Sequence, residues 1–147
     1  MRLFLVSTVL ALFVLGCALT AAGQRPWTVP KAGVWSVSGK DEENTRWSGR
    51  MHIERTGTRG LTALYRGYFY WWSPDSDSKG YEYFTGRFDR RSGVLKLHGT
   101  RARSLKGELG TGEYRAGLRK GTRTYNGSWG GQDSIPGTWT AKWSRNH

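Results

Sequence analysis

The sequence has very little cysteine: Cys17 is the single one among 147 residues. One thiol cannot form an intramolecular disulfide, so the folded domain must be stable through its own core. Large apolar side chains for such a core are present. The sequence contains 8 Trp and 7 Tyr, and all of them follow residue 24. Because each aromatic ring buries a large area, a short chain of this composition can still form a stable domain.

The N-terminal segment has almost no charge: Arg2 is the only charged residue before Arg25. An apolar run from Leu3 to Leu15 follows Arg2, and this pattern predicts a signal helix within a signal peptide over residues 1–23. The protein is therefore expected to be exported. Residues 24–32 contain Pro26 and Pro30, and they are expected to form an extended linker to a domain over residues 33–147.

Three fates of the signal segment remain open. The run Val14-Leu15-Gly16-Cys17 resembles a bacterial lipobox, which would make Cys17 a lipidation site and the protein a membrane-anchored lipoprotein with peripheral membrane association. Small residues at Thr20-Ala21-Ala22 suit ordinary cleavage, which would give a secreted or periplasmic protein. An uncleaved anchor is the third possibility, although Arg25 and Lys31 follow it on the side that the positive-inside rule disfavours.

Acidic residues are few. The chain has 23 Lys and Arg against 11 Asp and Glu, a net charge of +12. The excess of positive charge is concentrated between Arg87 and Lys120. Outside the cytoplasm such a field attracts anionic polysaccharide, glycan or lipid head groups, and nucleic acid is not an expected partner. The alternative is a solvated surface that keeps a β protein soluble.

No segment after residue 24 has the apolar period of a long helix. Short β-prone runs recur instead, separated by turn residues, which predicts an all-β fold: one antiparallel up-and-down meander of about eight strands closed into a small barrel. The strands are expected near Gly33–Ser38, Arg46–Arg55, Leu61–Trp72, Tyr81–Asp89, Val94–Gly99, Glu113–Arg119, Arg123–Gly130 and Gly137–Ser144.

Alternation along these strands assigns aromatic residues and glycines to the same inner face. Glycine beside a large ring lets that ring fit the curvature of a small closed sheet. The segments Arg46-Trp47-Ser48-Gly49-Arg50-Met51, Phe84-Thr85-Gly86-Arg87-Phe88-Asp89 and Pro136-Gly137-Thr138-Trp139 resemble strand motifs of avidin-type barrels, and similar strands occur in lipocalins. The resemblance implies a calycin-like fold and carries over no biotin-contacting residue.

Residues of the inner face are candidates for an interior ligand site. We expect Glu82 at a barrel mouth, where it would pair with Arg123. The full set of interior candidates is Trp47, Trp129, Trp139, Trp143, Glu82 and Arg123.

Patterns for catalysis, metals and cofactors are missing. His52, His98 and His147 have no metal-ligand spacing, and no serine lies in a nucleophile elbow. Asp75-Ser76-Asp77-Ser78-Lys79-Gly80 begins like a calcium loop, but Lys79 stands where an oxygen ligand is needed. The sequence therefore predicts no catalytic residue, no metal site and no cofactor.

Six aromatic residues fall within residues 65–72. Because successive side chains of a strand point to opposite faces, those at even positions must face outward when those at odd positions face inward. With two more from the next strand and two flanking arginines, they predict a surface for sugar rings or a protein partner. Its members are Tyr68, Tyr70, Trp72, Tyr81, Tyr83, Arg66 and Arg87. Alternatively, this face is covered by the N-terminal segment with Trp27 and Trp35, or by a second subunit, or the register differs.

Three functions follow from these features. The first is an exported, non-enzymatic binding module that engages an anionic or glycan partner of the cell envelope through its outer surface. The second is a calycin-type carrier of a small apolar ligand inside the barrel. The third is an enzyme with no recognisable site.

Overall fold

The computed structural model describes residues 23–119, 123–131 and 133–144, so the predicted signal helix and Cys17 lie outside the described residues. The eight strands are β1 (Gly33–Asp41), β2 (Arg46–Arg59), β3 (Thr62–Ser73), β4 (Ser78–Asp89), β5 (Val94–Lys106), β6 (Glu113–Leu118), β7 (Thr124–Gly130) and β8 (Gly137–Trp143). Each pairs with the next, and β8 pairs with β1 to close the barrel. The predicted antiparallel eight-strand barrel is confirmed. In the described ranges, no helix is long and apolar enough to cross a membrane.

Four strands are longer than predicted, and among them β1 continues past Ser38 to Asp41 and β2 past Arg55 to Arg59. Strand β4 begins at Ser78 instead of Tyr81, and β5 continues past Gly99 to Lys106. A bulge allows this continuation, because the pairing shifts from Phe84–Gly99 to Tyr83–Arg101. The extension is rich in Arg and Ser and lacks an apolar alternation. Its strand structure comes from pairing with β4, which no local pattern reveals.

The inner face follows the predicted alternation. Phe69 lies at the centre of the core with no exposed surface. Its ring centroid is 4.7 Å from that of Tyr114, 5.0 Å from those of Trp71 and Phe84, and 5.9 Å from that of Trp139. These stacked, tilted and edge-on contacts add to the stabilisation that burial alone provides.

Inner-face glycines make room for these rings, as the pattern predicted. A Cβ on Gly67 would lie 2.8 Å from the Phe84 ring and 1.9 Å from the carbonyl oxygen of His52. A Cβ on Gly137 would lie 2.5 Å from the Trp129 ring. No side chain larger than hydrogen fits these positions without displacing strand or ring.

One end of the barrel is closed by the chain that precedes β1. The Trp27 amide donates to the Arg90 carbonyl at 2.7 Å, and Arg90 Nε donates back to the Trp27 carbonyl at 3.1 Å. The Tyr65 hydroxyl donates to the Pro30 carbonyl at 2.9 Å, and burial raises its pKa to about 12. The segment expected to be a linker therefore packs against this closed end.

The alternative that Trp27 and Trp35 cover the outer aromatic face is wrong. Trp35 is 3 % exposed inside the barrel, where its ring centroid lies 5.5 Å from that of Tyr125. The Trp27 ring packs on Gly93 at the closed end. The outer face of β3 and β4 is consequently left uncovered by this segment.

Candidate functional site

The opposite end of the barrel contains a cavity of about 360 Å³. We call it the mouth cavity. The ends of β1, β3 and β7 contribute to its walls, together with the loops after β5 and β7. Its lining residues are Asp41, Trp47, Trp71, Glu82, Glu108, Leu109, Gly110, Tyr114, Trp129, Asp133, Ser134 and Ile135.

Glu82 lies on the inner wall of the mouth cavity and is only 1 % exposed. Its Oε1 accepts a hydrogen bond from the Gly112 amide at 2.7 Å, and its Oε2 accepts one from the Tyr114 hydroxyl at 2.6 Å. Gly99 makes room for the carboxylate, since a Cβ there would lie 2.4 Å from Oε1. Glu82 is therefore held in a fixed position from two sides.

Burial raises the pKa of Glu82 to about 7, because the ionised form loses its hydration. The hydrogen bonds from Tyr114 and Gly112 act in the opposite direction. The phenol responds in turn: burial and the neighbouring Glu82 carboxylate raise the pKa of Tyr114 well above its usual range. A titratable group with a pKa near neutrality in a cleft is typical of a functional site.

The Trp71 indole also lines the mouth cavity and is 3 % exposed. Its N–H is close enough to lower the pKa of Glu82, but its geometry falls short of a hydrogen bond. Among the residues that the structure describes, Nε1 has no hydrogen-bond partner. A buried N–H without a hydrogen bond destabilises the folded protein, and an acceptor atom beside it would remove that cost.

The structure places only some of the interior candidates at this cavity. Trp47, Trp129 and Glu82 line it, whereas Trp139 is buried deeper against Phe69. Trp143 lies at the closed end, where its ring centroid is 5.3 Å from that of Trp35.

The expected pairing of Glu82 with Arg123 is wrong. Arg123 is exposed and precedes β7 at the closed end, far along the barrel from Glu82. Its carbonyl accepts a hydrogen bond from the Trp143 amide. The error has a physical reason: alternation gives the side of a strand but not the end of the barrel at which a residue lies.

The outer aromatic surface also forms as the alternation predicted. The ring centroids of Tyr70 and Trp72 are 5.7 Å apart, those of Tyr70 and Tyr81 are 5.1 Å apart, and Tyr68 lies 5.8 Å from Tyr81 and 6.0 Å from Tyr83. The four tyrosines are half-buried and Trp72 is 39 % exposed, so one continuous aromatic strip faces solvent across β3 and β4.

The basic groups beside this strip differ from those predicted. Arg66 is paired with Glu54 at 2.9 Å near one end of the strip, and Arg87 is exposed toward the closed end. Sequence reasoning missed Arg101 and Arg103, because it ended β5 at Gly99. The Arg101 guanidinium lies over the Tyr83 ring at 4.6 Å, and Arg103 pairs with Tyr81 across the strands.

Two residues on the other flank were also missed. Arg50 on β2 pairs with Tyr70, and the neighbouring His52 ring stacks on Tyr68 with centroids 4.5 Å apart. Burial and the nearby Arg50 lower the pKa of His52. The alternation of β2, taken together with its pairing to β3, would have identified both residues from the sequence.

One comparison with known proteins bears on the fold. No family model and no curated protein matches this sequence. Among solved structures, the structure of EF1p2_mFAP2b bound to DFHBI has a TM-score of 0.52 at 12% identity, with 77% of this chain and 93% of that chain covered. A redesigned beta barrel, mFAP1, bound to DFHBI, has a TM-score of 0.48 at 14% identity, with 76% and 94% covered. At such identities the first likeness shows the fold alone. The chain thus has a small closed β-barrel fold that resembles the calycin type, as its strand motifs predicted.

Proposed function

We propose that this protein binds a small organic molecule in the mouth cavity. One observation carries the proposal: a cavity of about 360 Å³ brings three indoles together around a buried carboxylate. Volumes of this order and walls of aromatic side chains with a few fixed polar groups are typical of small-molecule sites. The barrel of EF1p2_mFAP2b is bound to DFHBI, which supports ligand binding by a barrel of this kind.

This proposal favours the carrier function over the surface-binding module. The inner face is crowded with rings around Phe69, yet the end near Glu82 is not filled. We propose further that binding takes place outside the cytoplasm and without catalysis. The signal pattern of residues 1–23 and the missing catalytic motifs support these two points.

The test compares two tryptophans that are both half-buried at opposite ends of the barrel. Trp47 lines the mouth cavity and Trp143 lies at the closed end. We expect Trp47→Ala to weaken the binding of fragments found by a ligand-observed NMR screen by about tenfold, because one wall of the site is lost. Trp143→Ala should leave their affinity unchanged. Equal losses in both variants, or no fragment that binds the wild-type protein, would contradict the proposal.

A second candidate function rests on the outer aromatic strip. Adjacent tyrosines with Arg50, Arg101 and Arg103 beside them would bind an anionic polysaccharide, since rings stack on sugar faces and guanidinium groups pair with carboxylate or sulfate. The charge of the whole chain favours the same class of partner. Partners of the cell envelope remain the preferred source, in agreement with the predicted export.

Heparin-affinity and glycan-array binding of the domain from residue 24 onward test this second function. We expect Tyr70→Ala/Trp72→Ala to lower binding by about tenfold, because two stacking rings are lost. Arg101→Ala should weaken it, whereas Arg115→Ala, an exposed arginine on β6, should change it little. Unchanged binding by the double variant would show that the aromatic strip is not the binding surface.

A further inference from the structure

The mouth cavity has a charge opposite to that of the protein. Four of the 11 acidic residues of the chain line it, namely Asp41, Glu82, Glu108 and Asp133. No Lys or Arg is among its described lining residues. Because concave, poorly hydrated walls concentrate the field of their charges, the cavity attracts cations in a molecule that otherwise repels them.

Aromatic faces line the same space. Trp129 lies with its ring centroid 6.3 Å from that of Trp71 and 6.4 Å from that of Tyr114, and Trp47 completes the wall. Indole faces attract organic cations through their quadrupole, and the attraction increases when the cation is desolvated. Rings and carboxylates thus favour the same charge of ligand.

The carboxylates are not arranged for a metal ion. In the part of the chain that the structure describes, no group of three or more His, Cys, Asp or Glu could hold one. Asp41 Oδ1 already accepts the amides of Glu43 at 3.0 Å and Thr45 at 2.9 Å. Hard cations such as Ca²⁺ need six or more converging oxygens. An organic cation needs fewer direct ligands, because its apolar body contacts the rings.

The Trp71 N–H adds a second requirement. It is buried, it lines the cavity and it has no partner among the described residues. Glu82 and Tyr114 are close enough for this N–H to affect their pKa values, so a ligand oxygen that accepts from it must lie beside them.

We propose, on the basis of the function proposed above, that the ligand of the mouth cavity is an organic amine or ammonium ion with an apolar ring body and an oxygen acceptor. The ammonium group lies against Glu82 and the acidic rim, the body packs on Trp47 and Trp129, and the oxygen accepts from Trp71.

Binding of such a ligand depends on the ionisation of Glu82. Burial raises its pKa to about 7, so the carboxylate is mostly neutral below that pH and mostly charged above it. An ammonium ion binds the charged form more tightly, and its affinity should increase as the pH rises through 7. Tyr114 faces Glu82 from β6, and Asp41, Glu108 and Asp133 line the same cavity. The charge of Glu113, which lies on the outer face of β6, also raises the pKa of Glu82.

Three matched probes test the inference by isothermal titration calorimetry. Tyramine has a phenol ring and an ammonium group, para-ethylphenol has the ring without the charge, and para-hydroxyphenylpropionate has a carboxylate in its place. We expect tyramine to bind about tenfold more tightly than para-ethylphenol at pH 8, and the propionate to bind more weakly than either.

The variant Glu82→Gln separates charge from shape. We expect it to lower the affinity for tyramine at pH 8 by about tenfold and to leave that for para-ethylphenol unchanged. The increase in tyramine affinity from pH 5.5 to pH 8.5 should be about tenfold in the wild-type protein and absent in the variant. An increase of the same size in Glu82→Gln would overturn the role of Glu82.

The outcomes distinguish this inference from the proposed function. If para-ethylphenol or the propionate binds as tightly as tyramine, the cavity binds small molecules but the preference for cations is wrong. If none of the three probes binds and the fragment screen also finds no ligand, both proposals are wrong.

Discussion

Glu82→Gln is expected to abolish the pH dependence of stability that Glu82 causes. In the wild-type protein we expect the free energy of unfolding to fall by about 2.5 kcal/mol as the pH rises from 5 to 8. In the folded protein burial raises the pKa of Glu82 to about 7, whereas the same side chain in an unfolded chain has its ordinary value of 4.5. Between these two values the unfolded chain releases the proton and the folded protein keeps it. The stability is therefore fully present below pH 4.5 and decreases as the pH rises through 7.

Urea unfolding of both proteins at pH 5 and pH 8 measures this effect. The neutral amide of Gln can still accept from the Gly112 amide, so the variant keeps a hydrogen bond without the ionisation. Burial lowers the pKa of His52, and any effect of this residue on the pH dependence cancels because both proteins contain it. An equal pH dependence in the two proteins would show that Glu82 ionises as easily when folded as when unfolded.

Gly127→Ala is expected to lower the free energy of unfolding by about 3 kcal/mol. Gly127 on β7 packs against β6 so closely that an added Cβ would lie 1.8 Å from the Arg115 carbonyl oxygen and 2.6 Å from the Ala116 Cα. Both of these atoms belong to the backbone, so no side-chain rotation relieves the contact. The two strands must separate, which weakens their hydrogen bonds and the core beneath them.

Gly117→Ala on β6 is the matched control for this change. Gly117 is exposed, and a Cβ there meets nothing within 4 Å. We expect Gly117→Ala to change the free energy of unfolding by no more than about 0.5 kcal/mol, because alanine clashes with nothing and slightly restricts the unfolded chain. Chemical denaturation of the two variants provides the comparison. Similar losses of stability in both would indicate that glycine matters here for a reason other than close packing.

The number and order of strands could be predicted because one physical rule governs them all. In Leu61–Trp72 each inward ring is followed by an outward side chain, and the structure retains this alternation from Tyr65 to Trp72. Turn glycines such as Gly60 and Gly93 adopt the positive φ that their positions require. Local pattern and global fold therefore agree over most of the barrel.

The mouth cavity could be predicted only in part. Alternation identified Glu82 as an inward residue, but its partners Gly112 and Tyr114 belong to a loop and strand about 30 residues away. The loop after β5 carries Glu108 and Leu109 into the cavity wall, and it has no periodicity from which to place them. Arg123 was assigned to the same site because parity does not distinguish the two ends of a barrel.

The two candidate sites share strands. On β3, Trp71 points into the mouth cavity while Trp72 faces outward, and on β4 the inward Glu82 lies between the outward Tyr81 and Tyr83. A substituted side chain on one face of this hairpin lies only one backbone layer away from the side chains of the other face. For each variant, binding at both sites should therefore be measured.

The central claim is that the mouth cavity is the binding site, and the indole N–H signals of the tryptophans test it most directly. In a titration of the ¹⁵N-labelled domain with tyramine, we expect the largest shifts at Trp47, Trp71 and Trp129, which line the cavity. The signals of Trp35 and Trp143 at the closed end and of Trp72 on the outer strip should remain in place. Shifts concentrated at Trp72 or at Trp143, with Trp71 unmoved, would contradict the account.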